Sequence, residues 1–376
     1  MNLDELRCQI DQIDQNLLQL FEQRMEIVKG VAAYKKENNL PIFHKDREDQ
    51  IIQRISSQAA PENAEGAKVL FSTLMNISKC LQQKEVLDYT LDTLKLLEEI
   101  QAGHQQPEHP TVGCQGVVGA YSYLACQKKF PNATITMFDQ FEDVFQAVQN
   151  EKVDFGILPL ENSNAGSVDE VYELMKHHNF YINHTITLKI DHCLAVRPGI
   201  KATDIQKVYS HNQALRQCSQ FLALHHLPQE SYTNTAAAAE FVAKSDLPIA
   251  AICSQESAKT HGLQILQQNI QNNDENYTRF MVISKKLYPR PECDTIATSL
   301  TISNAVGSLY NLLTKFAVNG VNLTKIESKP IGNKNFDVVF YLDFSGNILE
   351  EQSIHLLNEL SSELTGFKFL GNYKAD

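Results

Sequence analysis

An apolar stripe interrupted by one cation dominates the start of this chain. Leu3, Leu6, Ile10, Ile13, Leu17, Leu20, Ile27, Val31 and Tyr34 follow a three-then-four alternation, the spacing that keeps one face of a long helix against a partner. The position the pattern reserves between Leu20 and Ile27 is Arg24. A guanidinium on such a face calls for a buried anion. Lys35 falls about 20° from Arg24 around a helix of 3.6 residues per turn, so the two cations can meet one ligand. Arg7 lies about 25 Å from Arg24 along the axis, too far to share that ligand, and would serve one held by another chain. The same pattern also fits a seam in which Arg24 only sets coiled-coil register and Arg7 and Lys35 are solvated.

Residues 1–102 read as a three-helix unit. A first helix runs to about Asn38, a break at Asn39-Leu40-Pro41 leads to a short helix from about Asp46, and a loop over 56–63 leads to a third helix over 64–100. The first helix has no partner of its own length in that unit, so dimerisation is the economical way to cover its stripe. Residues 103–110 (GHQQPEHP) have linker composition. From 111 to 288, short β-branched runs at 134–138, 155–160, 182–188, 193–196, 249–252 and 280–283 alternate with helical stretches. That texture predicts an α/β domain with a mixed sheet, divisible into two lobes. A second linker, 289–294 (PRPECD), precedes a region over 296–376. It reads strand 298–302, helix 307–319, strand 323–329, strand 336–344, helix 349–364, strand 367–373, the βαββαβ order of a ferredoxin-like domain.

The 33 Lys and Arg against 45 Asp and Glu give a net charge of −12, which argues against a nucleic-acid partner or an anionic membrane. No run approaches the roughly 18 apolar residues of a membrane span, and residues 1–14 are acidic and amphipathic rather than leader-like. A cytoplasmic protein is expected. Eight scattered cysteines without a C-x-x-C pair suggest neither zinc nor a redox motif.

Several polar groups offer chemistry. Asp46-Arg47-Glu48 opens the second helix, and Ser78 and Gln82 share a face of the third. With Arg24 and Lys35 they supply cations for carboxylates, a carboxylate for a hydroxyl, and an amide beside an ammonium for a developing oxyanion. Singly, each has a plainer role: Asp46 as an N-cap, Arg47 and Glu48 as solvated charges, Gln82 as a surface amide. Gly113, Gly116 and Gly119 have the wrong spacing for a dinucleotide fingerprint, although the turn feeding Tyr121-Ser122 can present N–H groups to a carboxylate. Pro159-Leu160-Glu161-Asn162-Ser163, Ser210-His211, Thr235 and Asn276-Tyr277-Thr278-Arg279-Phe280 stand at strand ends, where open α/β sheets bind ligands. His211 after Ser210 lacks a nucleophile elbow and reads as structural.

These residues carry a resemblance. The first hundred resemble the all-helical chorismate mutase family, with Arg7, Arg24, Lys35, Arg47, Glu48, Ser78 and Gln82 at that family's site positions. The middle resembles prephenate dehydratase through GCQGVVGAYS (113–122), PLENSNAGSV (159–168), DHCLAV (191–196), YSHNQAL (209–215) and NYTRF (276–280). The tail resembles a phenylalanine-sensing ACT regulatory domain. In order they match the bifunctional chorismate mutase/prephenate dehydratase family over essentially the whole chain. Three departures stand out: His44 where relatives often carry an acid, Gly307-Ser308-Leu309-Tyr310 for a Gly-Ala-Leu segment, and Glu327-Ser328-Lys329-Pro330 for Glu-Ser-Arg-Pro. Lysine keeps the charge of arginine but loses its planar fork.

The resemblance implies domains at 1–102, 111–288 and 296–376, an intertwined homodimer or higher homo-oligomer, chorismate and prephenate as substrates, and no cofactor or metal. It implies that Arg24 and Arg7 of the partner subunit clamp carboxylates. Lys35 and Gln82 donate to the ether oxygen, Glu48 accepts from the ring hydroxyl, and Arg47 and Ser78 support the site. In the dehydratase, Thr278 assists hydroxide departure, Arg279 supports the site or a carboxylate, and Asn162, Ser163, Ser210 and Thr235 line it. L-Phenylalanine is the implied effector, held by Asn304, Gly307, Ser308, Leu309, Glu327 and Ser328. A non-catalytic amino-acid sensor, or a mutase fused to another prephenate-processing enzyme, is the alternative; the absent nucleotide fingerprint weighs against a dehydrogenase partner.

Overall fold

A computed structural model describes residues 2–85, 89–331 and 338–376. The chain forms two units, Met1–Ala102 with Asp294–Phe369, and Gly103–Cys293 with Leu370–Asp376.

Helix α1 (Leu3–Glu37) starts on a reciprocal cap, Asn2 Oδ1 accepting from Glu5 N–H and Glu5 returning a bond to Asn2 N–H, which satisfies two of the donors a helix start leaves free. It ends at Asn38, before Asn39 in the left-handed region (φ 52°). α2 (Lys45–Gln58), a 3₁₀ turn (Pro61–Asn63), α3 (Ala64–Glu85) and α4 (Leu91–Ala102) follow. The expected single third helix over 64–100 is two helices. Thr90 restarts the chain by accepting Thr93 N–H on its hydroxyl and Leu94 N–H on its carbonyl, while apolar periodicity running on through α4 hides the break from the sequence. Residues 86–88 lie outside the described ones.

α1 carries two apolar stripes. Met25, Val28 and Ala32 are buried, and α1 packs on α3. The predicted seam faces outward: Leu20 is 61% and Ile27 69% exposed. Arg24 does not follow that seam but turns toward α3, its guanidinium bonded to Leu74 O and Ser78 Oγ.

In the second unit, β1 (Thr111–Gln115), α5 (Tyr121–Lys129), β2 (Thr134–Phe138), α6 (Phe141–Gln149), β3 (Phe155–Asn162), β4 (Gly166–Ser167), α7 (Asp169–His177) and β5 (Tyr181–Lys189) open the first lobe. The second lobe comprises β6 (Cys193–Val196), β7 (Lys207–Ser210), α8 (Asn212–Gln217), α9 (Ser219–Leu224), β8 (Gln229–Ser231), α10 (Thr235–Lys244), β9 (Ile249–Cys253), α11 (Gln255–Thr260) and β10 (Gln264–Gln267). β11 (Tyr277–Ser284) returns to the first lobe. The first sheet runs β2-β1-β3-β11-β5, and the second β10-β6-β9-β7-β8. β11 enters antiparallel between β3 and β5, so the returning strand becomes central. The two crossings pair with each other: Ile190 N–H donates to Asn276 O and Ile270 N–H to His192 O. Gly119 touches the second lobe so closely that a Cβ would lie 2.8 Å from Ser257 Cα, at a φ of +84°; glycine suits both demands. The lobes have separate cores, Phe155, Ile157, Phe280 and Val282 in one and Val208, Leu215, Ala250 and Ile252 in the other.

β12 (Thr295–Thr301), α12 (Ser308–Val318), β13 (Leu323–Pro330), β14 (Val338–Ser345), α13 (Glu351–Glu363) and β15 (Thr365–Tyr373) complete the chain in βαββαβ order, the sheet running β13-β14-β12-β15. Phe336 and Asp337, expected to begin a strand, lie outside the described residues. α12 packs on α3, and α13 on α3 and α4. The last residues of β15 belong to the second unit, where Gly371 pairs with Ile182 of β5.

Candidate active sites

The helical site is built on α3. Ser78 Oγ meets the Arg24 guanidinium and donates to Leu74 O, and Gln82, one turn on, donates to Ser78 O while its buried Oε1 has no partner among the described residues. A buried amide oxygen with no donor is costly. Lys35, near the end of α1, donates to Ile42 O at 2.7 Å. Burial lowers its pKa, and the charge of Glu48 on α2 works against that shift; burial lowers Arg24 likewise. Glu48 sits 3.2 Å from Lys79 Nζ. The structure thus ties Arg24 of α1 to Ser78 and Gln82 of α3, and sets Lys35 of α1 within reach of the charge of Glu48 on α2. It leaves Arg47 exposed, and Arg7 exposed beside Asp4. His44, not Asp46, takes the N-cap position of α2, its carbonyl accepting Arg47 and Glu48 N–H.

The second site is a cleft of about 560 Å³ between the lobes. Register explains why two separate motifs build it. Thr278 of β11 lies opposite Asn162 of β3, and Arg279 opposite Glu161, so alternation sends one pair into the cleft and the other away from it. Asn162 and Thr278 line the cleft; Arg279 instead pairs with Glu161 at 2.6 Å. Asn162 Oδ1 accepts Asn164 and Ala165 N–H, which fixes its amide orientation. Its Nδ2 therefore donates, to Asn276 Oδ1 at 2.9 Å, Tyr277 O at 3.0 Å and Thr278 Oγ1 at 2.9 Å. With one lone pair of Thr278 occupied by a donor, the hydroxyl proton is free to point at a ligand.

Thr235, first residue of α10, also faces the cleft, as do Tyr121 and Ser122 at the start of α5. Ser163 and Ser210 spend their hydroxyls elsewhere: Ser163 accepts Tyr277 N–H and donates to Glu275 O, and Ser210 is fully buried, donating to Ile252 O. His211 caps α8 by accepting Gln213 N–H on Nδ1.

Sequence reasoning passed over Gln217 and His192. Gln217 Oε1 accepts from Asn276 Nδ2 at 3.2 Å and lies 3.0 Å from His192 Nε2, which must donate. Burial lowers the His192 pKa, and its buried Nδ1, beside the cleft, has no hydrogen-bond partner among the described residues. A helix-terminal glutamine carries no local signal for such a role.

The C-terminal candidates sit at one end of their sheet. Val339 of β14 pairs with Thr301 of β12 on one side and Lys329 of β13 on the other, which brings the segment leaving β12 and the Glu327–Lys329 ion pair (2.8 Å) to the same end. Asn304, Gly307 and Leu309 are exposed. Gly307, at φ +85°, starts α12 without a side-chain cap, and Ser308 Oγ lies 2.9 Å from Ser303 Oγ. Ser328 is exposed on the strand.

A helical site of cations with an amide and a carboxylate, followed by a two-lobed cleft that offers an oriented hydroxyl, defines a chain with two separate small-molecule centres. The chorismate mutase type II family pattern matches residues 6–83, and the prephenate dehydratase pattern residues 112–287. The chain is 34% identical over 314 residues to arogenate dehydratase/prephenate dehydratase 2 of Arabidopsis thaliana, covering 80% of this chain and 81% of that one. It is 29% identical over 381 residues to the bifunctional chorismate mutase/prephenate dehydratase of Escherichia coli (strain K12), covering 99% and 96%. Its fold is similar to the crystal structure of a prephenate dehydratase in complex with L-Phe from Arthrobacter aurescens, with a TM-score of 0.64, 26% identity, and 70% and 89% of the two chains covered. The chain belongs to the prephenate dehydratase family, in the bifunctional form that carries a chorismate mutase region ahead of the dehydratase.

Proposed function

We propose that this chain rearranges chorismate to prephenate at the helical site, converts prephenate to phenylpyruvate in the cleft, and serves L-phenylalanine biosynthesis under control by that amino acid. Its domains in this reading are 1–102, 111–288 and an ACT regulatory domain at 296–376.

The first reaction is pericyclic and needs no nucleophile, so catalysis rests on holding a compact conformer and stabilising charge on the breaking ether oxygen. Arg24, kept in place by Ser78, binds a carboxylate. Lys35 and the Gln82 amide serve the ether oxygen, and Glu48 accepts from the ring hydroxyl. Arg7, remote from these groups on its own helix, reaches the site of a partner subunit, and the outward stripe of α1 supplies the apolar surface for such a homodimer.

The second reaction expels the ring hydroxyl as water, with the proton delivered to it, while carbon dioxide leaves and the ring becomes aromatic. The observation that carries this assignment is the Thr278 hydroxyl, fixed as a donor by Asn162. A threonine is too weak an acid to give up its proton outright, so it acts as a positioned donor or relay. Arg279 supports the site through Glu161.

For the effector, the uncapped start of α12 and the neighbouring strand end suit an amino acid's carboxylate and ammonium; a related dehydratase solved with L-Phe supports the choice. No helix among the described residues is long and apolar enough to cross a membrane, and a cytoplasmic site of action is part of this reading.

Product analysis tests it. Chorismate alone should yield phenylpyruvate by way of prephenate, and phenylalanine should slow the second step by about 5- to 150-fold, the range a coupling of about 1–3 kcal/mol produces. Accumulation of prephenate with no phenylpyruvate, or binding of phenylalanine without any turnover, overturns it.

A further inference from the structure

Lys79 is a charged side chain that the two reactions leave unassigned. It follows Ser78 on α3, its side chain only 6% exposed, and carries an ammonium between two carboxylates from different parts of the first unit. Glu48, 26% exposed and on the site side, lies 3.2 Å away; Glu363, at the end of α13 and 6% exposed, lies 2.9 Å away. Glu363 Oε2 also meets Lys315 of α12 at 2.7 Å, and Lys315 reaches Glu359 at 2.8 Å. Asn319 adds a bond to Glu359 and accepts one from Cys80, the neighbour of Lys79 on α3. Burial opposes the Glu363 charge, yet Lys315 and Lys79 hold its pKa below the usual carboxylate value. The Phe43 ring lies 5.1 Å from Lys79 Nζ.

We propose that Lys79 is a positioning residue for Glu48 in the mutase reaction and that Glu363 of the C-terminal βαββαβ region holds Lys79 at its working distance. This rests on Glu48 as the acceptor of the substrate hydroxyl. An ammonium without a second anchor closes on its carboxylate and consumes the lone pairs the substrate needs. Here the ammonium lies 2.9 Å from Glu363 and 3.2 and 3.4 Å from the two oxygens of Glu48, so Glu48 is oriented while its remaining lone pairs can still accept. Three donors on one ammonium suffice for both carboxylates. The mutase site thus depends on a side chain far along the chain: a change at Glu363 of α13 reaches Glu48 through two ion pairs, and one at Lys315 of α12 through three.

The test is steady-state mutase kinetics on full-length Lys79→Met, Lys79→Arg, Glu363→Gln, Glu48→Gln and the Lys79→Met/Glu48→Gln double variant, with far-ultraviolet circular dichroism, which reads the helices of the first unit, as the control for folding. Lys79→Met should lower mutase kcat about tenfold with KM within about twofold, Glu363→Gln should lower it about threefold, and Lys79→Arg should recover part of the loss. The double variant should be no slower than Glu48→Gln, because Lys79 acts through that carboxylate. Unchanged kcat in both Lys79→Met and Glu363→Gln, or losses that multiply in the double variant, overturns the proposal while leaving the mutase site intact. A fully active Glu48→Gln overturns the assignment of Glu48 and the proposal with it. Should Lys79→Met fail to fold, Glu363→Gln and Lys79→Arg decide the matter by the same criteria.

Discussion

Asn162 on β3 donates its amide hydrogen to Thr278 on β11 at 2.9 Å, across a strand pair whose register places the two residues face to face. Two backbone N–H groups on the far side of the amide leave it no other orientation. The polarity of the Thr278 hydroxyl is therefore set by the fold before any substrate arrives.

Thr278→Ala should lower dehydratase kcat about 100-fold with little change in KM, as removal of a group needed mainly by the departing oxygen does. Thr278→Ser should keep part of the activity. Asn162→Asp offers the hydroxyl an acceptor instead of a donor, turning its proton away from the cleft, and should be as slow as Thr278→Ala. Steady-state rates on prephenate check this, and near-normal turnover of the alanine variant would show that another group assists departure.

Lys35→Ala should abolish the mutase reaction while dehydratase turnover on added prephenate stays within about twofold of normal, since the residues assigned to the two centres belong to different units. Separate assays on chorismate and prephenate decide; parallel loss of both in a folded protein would sink the two-centre assignment.

Arg7 and Arg24 stand at distant positions on α1, and only Arg24 meets Ser78. Arg7→Ala and Arg24→Ala proteins should each be nearly inactive as mutases, and mixing them under subunit exchange should restore about a quarter of normal activity, one intact site in half of the dimers. Mixtures that stay at the level of the single variants would mean that Arg7 does not reach across.

His184 is buried in the dehydratase region, with Lys129 and Arg290 at its ring nitrogens. Burial first, then those two cations, push its pKa down to about 3. Between that value and the ordinary one near 6.5, the unfolded chain binds a proton that the folded chain refuses. Stability from this group is therefore present above about 6.5 and lost as pH falls toward 3, by at most about 1.4 kcal/mol per pH unit. Urea unfolding of this region at pH 7, 6 and 5 should show that slope, shallower in His184→Gln. Identical slopes would assign the acid sensitivity to other groups.

The apolar stripe of α1, the β-branched runs that become strands and the βαββαβ order of the tail all follow from local periodicity, which a sequence displays directly. So do the two motifs of the cleft and the cations of α1, as residue types in suggestive positions. Tertiary structure decided which of them meet. Asn162 and Thr278 are 116 residues apart, and strand register, fixed by which face must be buried, puts both in the cleft and turns Arg279 away. Packing on α3 drew Arg24 off the seam that its spacing alone assigned it. The restart at Thr90 was hidden because an apolar pattern continues across it, and Gln217, His192 and Lys79 drew no role because each is defined by partners far along the chain. Periodicity reports which face a residue belongs to; hydrogen bonds and ion pairs between distant segments exist only once the chain has closed on itself.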